Sequence, residues 1–288
     1  MSPLRSRPGH RLLRCPVCRL DLTAAAGALV CRNRHWFDLA REGYVNLLHG
    51  RAHQPAAGGD SPQQLNHRTA FLDAGHFDKV ATTIAEHLQQ SDIRSWRILD
   101  AGSGTGHHLV RMVEALPSPV VGLGLDISRY AVRQAARRWR TLAFAVTDLW
   151  TEWPVQNNAV DLLLSIFAPK NFSEAARVLR PGGWLALVCP GRDHMAELRS
   201  RFGLMRRHEP AGERYTEAME HFVGPPTIHR LRRQTVLDDA AIRSAILMGP
   251  NARHIAAFRL NGELAPIAVT FDFIILFARR SDGRSGTC

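Results

Sequence analysis

Cys15-Pro-Val-Cys18 is followed by Cys31 and His35, a C-x2-C-x12-C-x3-H spacing. Two close pairs separated by a gap suit one tetrahedral metal site: a turn presents each pair and a small hairpin spans the gap. Three thiolates and an imidazole are ligands that Zn2+ accepts without redox chemistry. Four of them leave no open position, so the metal would be structural. A fragment of about 35 residues builds little core of its own, and zinc contributes roughly 10–16 kcal/mol of apparent folding free energy to such modules. Five cysteines, three of them within the first 31 residues, make a poor disulfide framework and fit a cytosolic, cytoplasmic setting. Cys189, in an apolar run, and Cys288, at the C-terminus, fall outside the ligand set.

A second group of residues surrounds Ile98-Leu-Asp100-Ala-Gly102-Ser-Gly104-Thr105-Gly106-His-His108. It reads as a strand, a D-x-G-x-G-x-G turn and a helix. Glycines at such a turn let the backbone approach a ligand closely. The third glycine of a dinucleotide fingerprint would fall at 107, which is His107, and this argues against a nicotinamide cofactor. Asp100, before the first glycine, suits a ligand with a cationic aminoacyl end. Asp126, ending the next strand, can accept both hydrogen bonds of a ribose diol. Asp148, ending the third, is placed to meet an adenine amino group. Three acids on three successive strand ends point to S-adenosylmethionine as the ligand.

The elements needed to position these residues are legible. Strand-like runs cover residues 97–101, 120–126, 142–146, 160–165 and 184–189. Helical patterns cover 106–116, 129–139, 171–179 and 194–202, after two amphipathic helices at 67–75 and 79–90. Strand and helix alternating at this spacing imply right-handed crossovers in an α/β, doubly wound, mostly parallel sheet. Strand patterns at 227–236 and 267–278, around a helix at 238–247, add two strands at one edge. Residues 1–49 form the small zinc-binding domain, 50–66 a Pro, Ala and Gly-rich linker, and 67–288 the larger domain.

Composition sets the remaining bounds. Of 288 residues, 45% are apolar and 22% charged, an ordinary folded composition. No apolar run is long enough for a membrane-spanning helix, and the first 14 residues lack the apolar stretch of a secretory signal. The net charge is +11, carried almost wholly by arginine since only Lys79 and Lys170 are lysines. Such a balance favours a polyanionic partner, nucleic acid first.

Leu179-Arg-Pro-Gly-Gly183-Trp184 resembles the element before strand five of class I S-adenosylmethionine-dependent methyltransferases, a Rossmann-like fold. Together with the finger, the chain resembles the bacterial 23S rRNA (guanine-N1)-methyltransferases, the RlmA-type family with an N-terminal zinc finger. The resemblance runs through His35-Trp-Phe37-Asp38, Gly43-Tyr44-Val-Asn46, Phe71-Leu-Asp-Ala-Gly75-His76-Phe77, the glycine turn, Phe167-Ala168-Pro169 and Pro190-Gly-Arg-Asp-His194. Gly104-Thr-Gly-His-His108 and Phe167-Ala-Pro-Lys-Asn171 are more similar to the branch that confers tylosin and mycinamicin resistance. That branch methylates guanine 748 of the hairpin-35 loop rather than guanine 745. The resemblance implies that Phe77, Gly104, Thr105 and His194 contact the cofactor. It also implies that Cys15, Cys18, Cys31 and His35 bind zinc, and that the chain is a homodimer; no membrane partner is expected, because no apolar run is long enough.

Phe167 and Pro169 follow the fourth strand, where this fold receives its substrate, and Phe167 is placed to stack on an extruded guanine. No residue compels assignment as the base that takes the guanine N1 proton. Arg51, Arg68, Arg201, Arg206, Arg207 and Arg214 are expected to line an RNA cleft with the finger. Two alternatives share parts of this pattern: a methyltransferase for a small natural product, and a zinc-dependent RNA-binding protein without catalysis.

Overall fold

Strands buried on both faces read as unbroken apolar runs, and five such runs form the centre of one sheet. The computed structural model describes residues 6–48, 60–205, 211–253 and 260–281. Its main sheet contains β4 (Val45–Asn46), β5 (Trp96–Ala101), β6 (Val120–Asp126), β7 (Ala143–Val146), β8 (Val160–Ile166), β9 (Leu179–Pro190), β10 (Thr227–Leu237) and β11 (Ile267–Arg279). The order is β10-β11-β9-β8-β5-β6-β7-β4. β4 to β9 pair in parallel, and β10 and β11 run antiparallel at one edge, as expected. β8 is buried at every position.

The pleat divides the core in two. Ile98, Leu162 and Leu164 face a cluster with α2 (Asp78–Leu88), α3 (His107–Ala115), α4 (Arg129–Arg138) and α8 (Asp239–Leu247). Leu99, Leu163 and Leu185 face the other cluster, with α5 (Phe172–Val178), α7 (Ala211–Phe222) and the N-terminal module. The β7–β8 connection contains no helix. The N-terminal module covers that part of the sheet instead: Leu12, Leu13, Leu22 and Leu29 pack with Leu123, Leu125, Ala143 and Ala145.

That module holds a three-stranded antiparallel sheet of β1 (Thr23–Ala25), β2 (Ala28–Val30) and β3 (Trp36–Asp38). A 3-10 turn, Pro8–Leu12, precedes it and lies so close to β6 that a Cβ on Gly9 would sit 2.2 Å from the Gly122 carbonyl oxygen. After β3 the chain joins the main sheet, with Val45 opposite Ala145 and Asn46 opposite Val146.

Three local features differ from the pattern read in the sequence. α1 spans Pro62–Asp73, so 62–66 are helix rather than linker: Ser61 caps it in a reciprocal box with Gln64, and Pro62 sits at the first turn. β9 begins at Leu179, before the Pro-Gly-Gly segment, with a register shift between Val160 and Leu162 absorbing the irregularity. α6 (Ala196–Phe202) starts two residues later than expected, after Met195 in the left-handed region. Among the described residues no helix is long and apolar enough to cross a membrane.

Candidate functional site

The two metal-ligand pairs converge as their spacing requires. The four ligand atoms of Cys15, Cys18, Cys31 and His35 lie within 4.8 Å of one another. His35 Nδ1 is 3.4 Å from both the Cys15 and Cys31 sulfurs, and the Cys18 and Cys31 sulfurs are 3.6 Å apart. Zinc–sulfur and zinc–nitrogen bonds of about 2.3 and 2.0 Å at the tetrahedral angle place ligand atoms about 3.5–3.8 Å apart. The residues therefore fit zinc in a closed, structural site.

The glycine turn lies at the carboxyl end of β5. Gly102 adopts φ +90, where an added Cβ would meet the Ala168 Cβ at 2.3 Å, and Gly104 adopts φ +52. Asp126 folds the turn onto β6: one carboxylate oxygen accepts from the Gly104 amide and the other from the Ser128 amide, each at 2.8 Å. Asp100 is 1% exposed, and its Oδ2 finds no hydrogen-bond partner. Burial, with the Asp126 charge, pushes its carboxyl up to about 7. A buried carboxylate lacking a donor is costly, and a ligand cation relieves that cost. The orphaned oxygen fits the cationic donor inferred from the sequence.

A cleft of about 1200 Å3 opens above this turn. Of the expected cofactor residues, Phe77, Gly102, Gly104, Thr105 and His194 line it, and Asp100, Gly106, Asp126 and Asp148 lie outside its wall. Gly106 caps α3 at φ +78, close against the Phe144 and Trp139 rings, so packing accounts for this glycine. Asp148 binds the Trp150 amide at 2.9 Å just past the end of β7.

Phe167 stands in the cleft wall at φ +54, 39% exposed. Its ring lies 5.9 Å from those of Phe77 and Phe273, 6.1 Å from His194 and 6.5 Å from His108. A positive φ on phenylalanine is strained, and such strain collects at functional walls. Pro169 is exposed and outside the wall.

The wall also contains His107, His108, Arg192 and Arg199, which sequence reasoning did not assign. The two histidines follow the glycine turn directly, which was the available signal. Burial, with His107 and Arg68 nearby, holds the His108 imidazole down at about 3, so it is neutral at neutral pH. Arg68 also belongs to this wall, bonded to Asp60 and to the Met248 carbonyl. Arg201 is exposed on α6. Arg51, Arg206, Arg207 and Cys288 lie outside the described residues, as does the side chain of Arg214.

A parallel sheet with this strand order, a glycine turn after its first central strand and an unpaired acid beneath that turn define a class I S-adenosylmethionine-dependent methyltransferase, here carrying a zinc module. Residues 98–183 match the family described as "Methyltransferase domain", and residues 13–52 match "RlmA, N-terminal". A Streptomyces fradiae protein named 23S rRNA (guanine(748)-N(1))-methyltransferase is 38% identical over 85% of this chain and 86% of its own. A Micromonospora griseorubida protein, named provisionally as a 23S rRNA (guanine-N(1)-)-methyltransferase, is 36% identical over 90% of this chain and 94% of its own. A Bacillus subtilis protein with the same provisional name is 31% identical over 93% and 97%. The chain belongs to the family of 23S rRNA (guanine-N1)-methyltransferases.

Proposed function

We propose that this chain methylates N1 of a guanine in the hairpin-35 loop of 23S rRNA, guanine 748 in preference to 745, and thereby confers resistance to tylosin- and mycinamicin-type macrolides. The observation that carries this reading is the near full-length likeness to the guanine-748 enzyme in a chain that keeps the four metal ligands and the Asp100 turn.

S-adenosylmethionine supplies a methyl group already activated on a cationic sulfur. Asp100 offers the buried anionic oxygen; Gly104, with open space where a Cβ would stand, leaves room for the donor, and Gly102 lets the turn pack on Ala168. Cysteines 15, 18 and 31 with His35 hold the structural zinc. Phe167 projects into the cleft as a stacking platform for an extruded base, an arrangement used widely for single-stranded RNA. Neutral His108 and the Phe77 and Phe167 rings give this part of the wall an uncharged face, against which the ring nitrogen can align with the methyl group. The exposed, arginine-rich surface supplies sequence-independent phosphate attraction.

The reading also implies action in the cytoplasm, where ribosomal RNA is available, and a homodimer in which two zinc modules frame one RNA groove. Methyl transfer from labelled donor to unmodified 23S rRNA, followed by primer extension, tests the main claim, because an N1 methyl blocks base pairing. A stop at guanine 748 supports it. Transfer to a macrolide precursor with none to RNA overturns it, as does donor binding without any product.

A further inference from the structure

The first metal knuckle is bonded directly to the segment after β7. Leu13 pairs with Val155 as an antiparallel bridge. The Arg14 amide donates to the Pro154 carbonyl at 3.0 Å, and the Gln156 amide to the Leu12 carbonyl at 2.9 Å. Arg14, only 7% exposed, places one guanidinium nitrogen on Glu152 Oε1 and another on Asn157 Oδ1 at 3.2 Å. Arg19, between the two ligand pairs, reaches Glu152 Oε2 at 2.7 Å. One carboxylate thus joins two arginines that flank the Cys15–Cys18 turn.

The same segment continues to the cofactor turn. The Trp153 indole donates to the Leu149 carbonyl at 3.0 Å, and its amide to Glu174 Oε2 at 2.6 Å. Asn171, in the loop with Phe167, donates to the carbonyls of Leu149 and Thr151 at 3.3 Å. Leu149 and Ala168 are the side chains that meet the position of a Cβ at Gly102. A path of bonds therefore runs from the knuckle through Glu152 and Trp153 to Leu149, whose side chain stands 3.7 Å from where a Cβ on Gly102, the first glycine of the turn, would lie.

We propose that Glu152 is a positioning residue for methyl transfer: by pinning the metal knuckle to residues 148–156 it sets the wall of the donor site at Gly102, so that metal occupancy governs donor affinity even without RNA. This rests on the donor reading given above. Loss of Glu152 leaves the buried Arg14 cation without its carboxylate and frees the segment that carries Leu149. Partners that orient metal ligands change affinity or activity by about 10–100-fold when lost, and Glu152, which bonds the arginines beside the ligands rather than the ligands themselves, is placed at the lower end of that range.

The test is calorimetric titration of the zinc-loaded full-length chain with S-adenosylhomocysteine in the absence of RNA. Glu152→Ala is expected to weaken binding about ten-fold while retaining one zinc per chain, and Glu152→Gln, which keeps the shape, to fall between. In steady state the KM for the donor rises while kcat and the KM for RNA hold, a split that general destabilisation does not produce. Glu152→Asp restores part of the affinity. Stripping zinc weakens the wild-type chain by a similar factor and adds little to Glu152→Ala. Wild-type affinity in both Glu152→Ala and Glu152→Gln overturns the proposal alone. A wild-type chain that takes up no S-adenosylhomocysteine overturns the donor reading and the proposal together.

Discussion

Gly102 and Ala168 stand so close that no side chain fits between them: a Cβ on the glycine would lie 2.3 Å from that of the alanine. The glycine turn after β5 and the Phe167 loop after β8 are in this way packed against each other. Gly102→Ala therefore suffers twice, through this clash and through a φ of +90 that alanine avoids. The expected cost is about 1–3 kcal/mol of stability, read as a lower melting temperature, with loss of measurable S-adenosylhomocysteine binding. Unchanged donor affinity in Gly102→Ala would show that the turn does not contact the donor.

Asp100 predicts an exchange of stability for function. Its carboxyl titrates at about 7 in the folded chain against an ordinary 3.8, because burial and Asp126 disfavour the charge. Between these values the folded chain binds more protons than the unfolded one, so Asp100 costs little at low pH and its destabilisation grows until it is complete above about pH 7. Asp100→Asn removes this penalty. Its apo melting temperature should exceed that of the wild type at pH 8 and converge with it near pH 4, while donor binding falls sharply. Equal melting temperatures across that range would contradict the assignment.

Arg7 predicts how the zinc module is held. Its guanidinium donates to the carbonyls of Ala136 at 2.8 Å, Leu142 at 2.7 Å, Trp139 at 3.2 Å and Glu42 at 2.5 Å. It thereby caps the last turn of α4 and staples the segment before the module to the one after it. Arg7→Ala should cost about 2–3 kcal/mol, since charged hydrogen bonds to buried carbonyls are lost together. Arg7→Lys recovers only part, because a single ammonium does not span a fork of four acceptors. Thermal unfolding of the zinc-loaded protein distinguishes these variants; equal melting temperatures in all three would remove Arg7 from this role.

What the sequence made legible follows the range of the interactions involved. Asp126 and the glycine turn lie at strand ends set by local apolar runs, and Cys15, Cys18, Cys31 and His35 are fixed by spacing, so both groups were readable. Val45–Asn46 was not, because a two-residue strand exists only where the zinc module docks on β7. Ser61-Pro62 continued a Gly-Gly-Asp run and read as linker, although Ser61 with Gln64 is a capping box. α7, at Ala211–Phe222, has no counterpart among the elements read from the sequence. The partners of Arg68 within the chain, Asp60 and the Met248 carbonyl, carry no sequence signal because Met248 lies far along the chain and meets α1 only through α8 packing. Glu152 carried no motif, since its partners Arg14 and Arg19 lie more than a hundred residues away in the chain.

Phe167 separates strain from function most cleanly. Its φ of +54 is a glycine conformation, so Phe167→Gly relieves backbone strain of about 1–3 kcal/mol. The ring is 39% exposed, so the burial lost with it is only partial, of order 1–2 kcal/mol. The two effects nearly cancel, and the melting temperature should move little. Donor affinity should also hold, because Phe77, Gly104 and Thr105 remain in place. Methyl transfer should not hold: stacking on an extruded base contributes about 1–3 kcal/mol, so kcat/KM for RNA is expected to fall about 10–100-fold. Phe167→Trp, which keeps a flat ring, should retain more activity than Phe167→Gly. Full activity in Phe167→Gly would mean that the guanine is received elsewhere in the cleft.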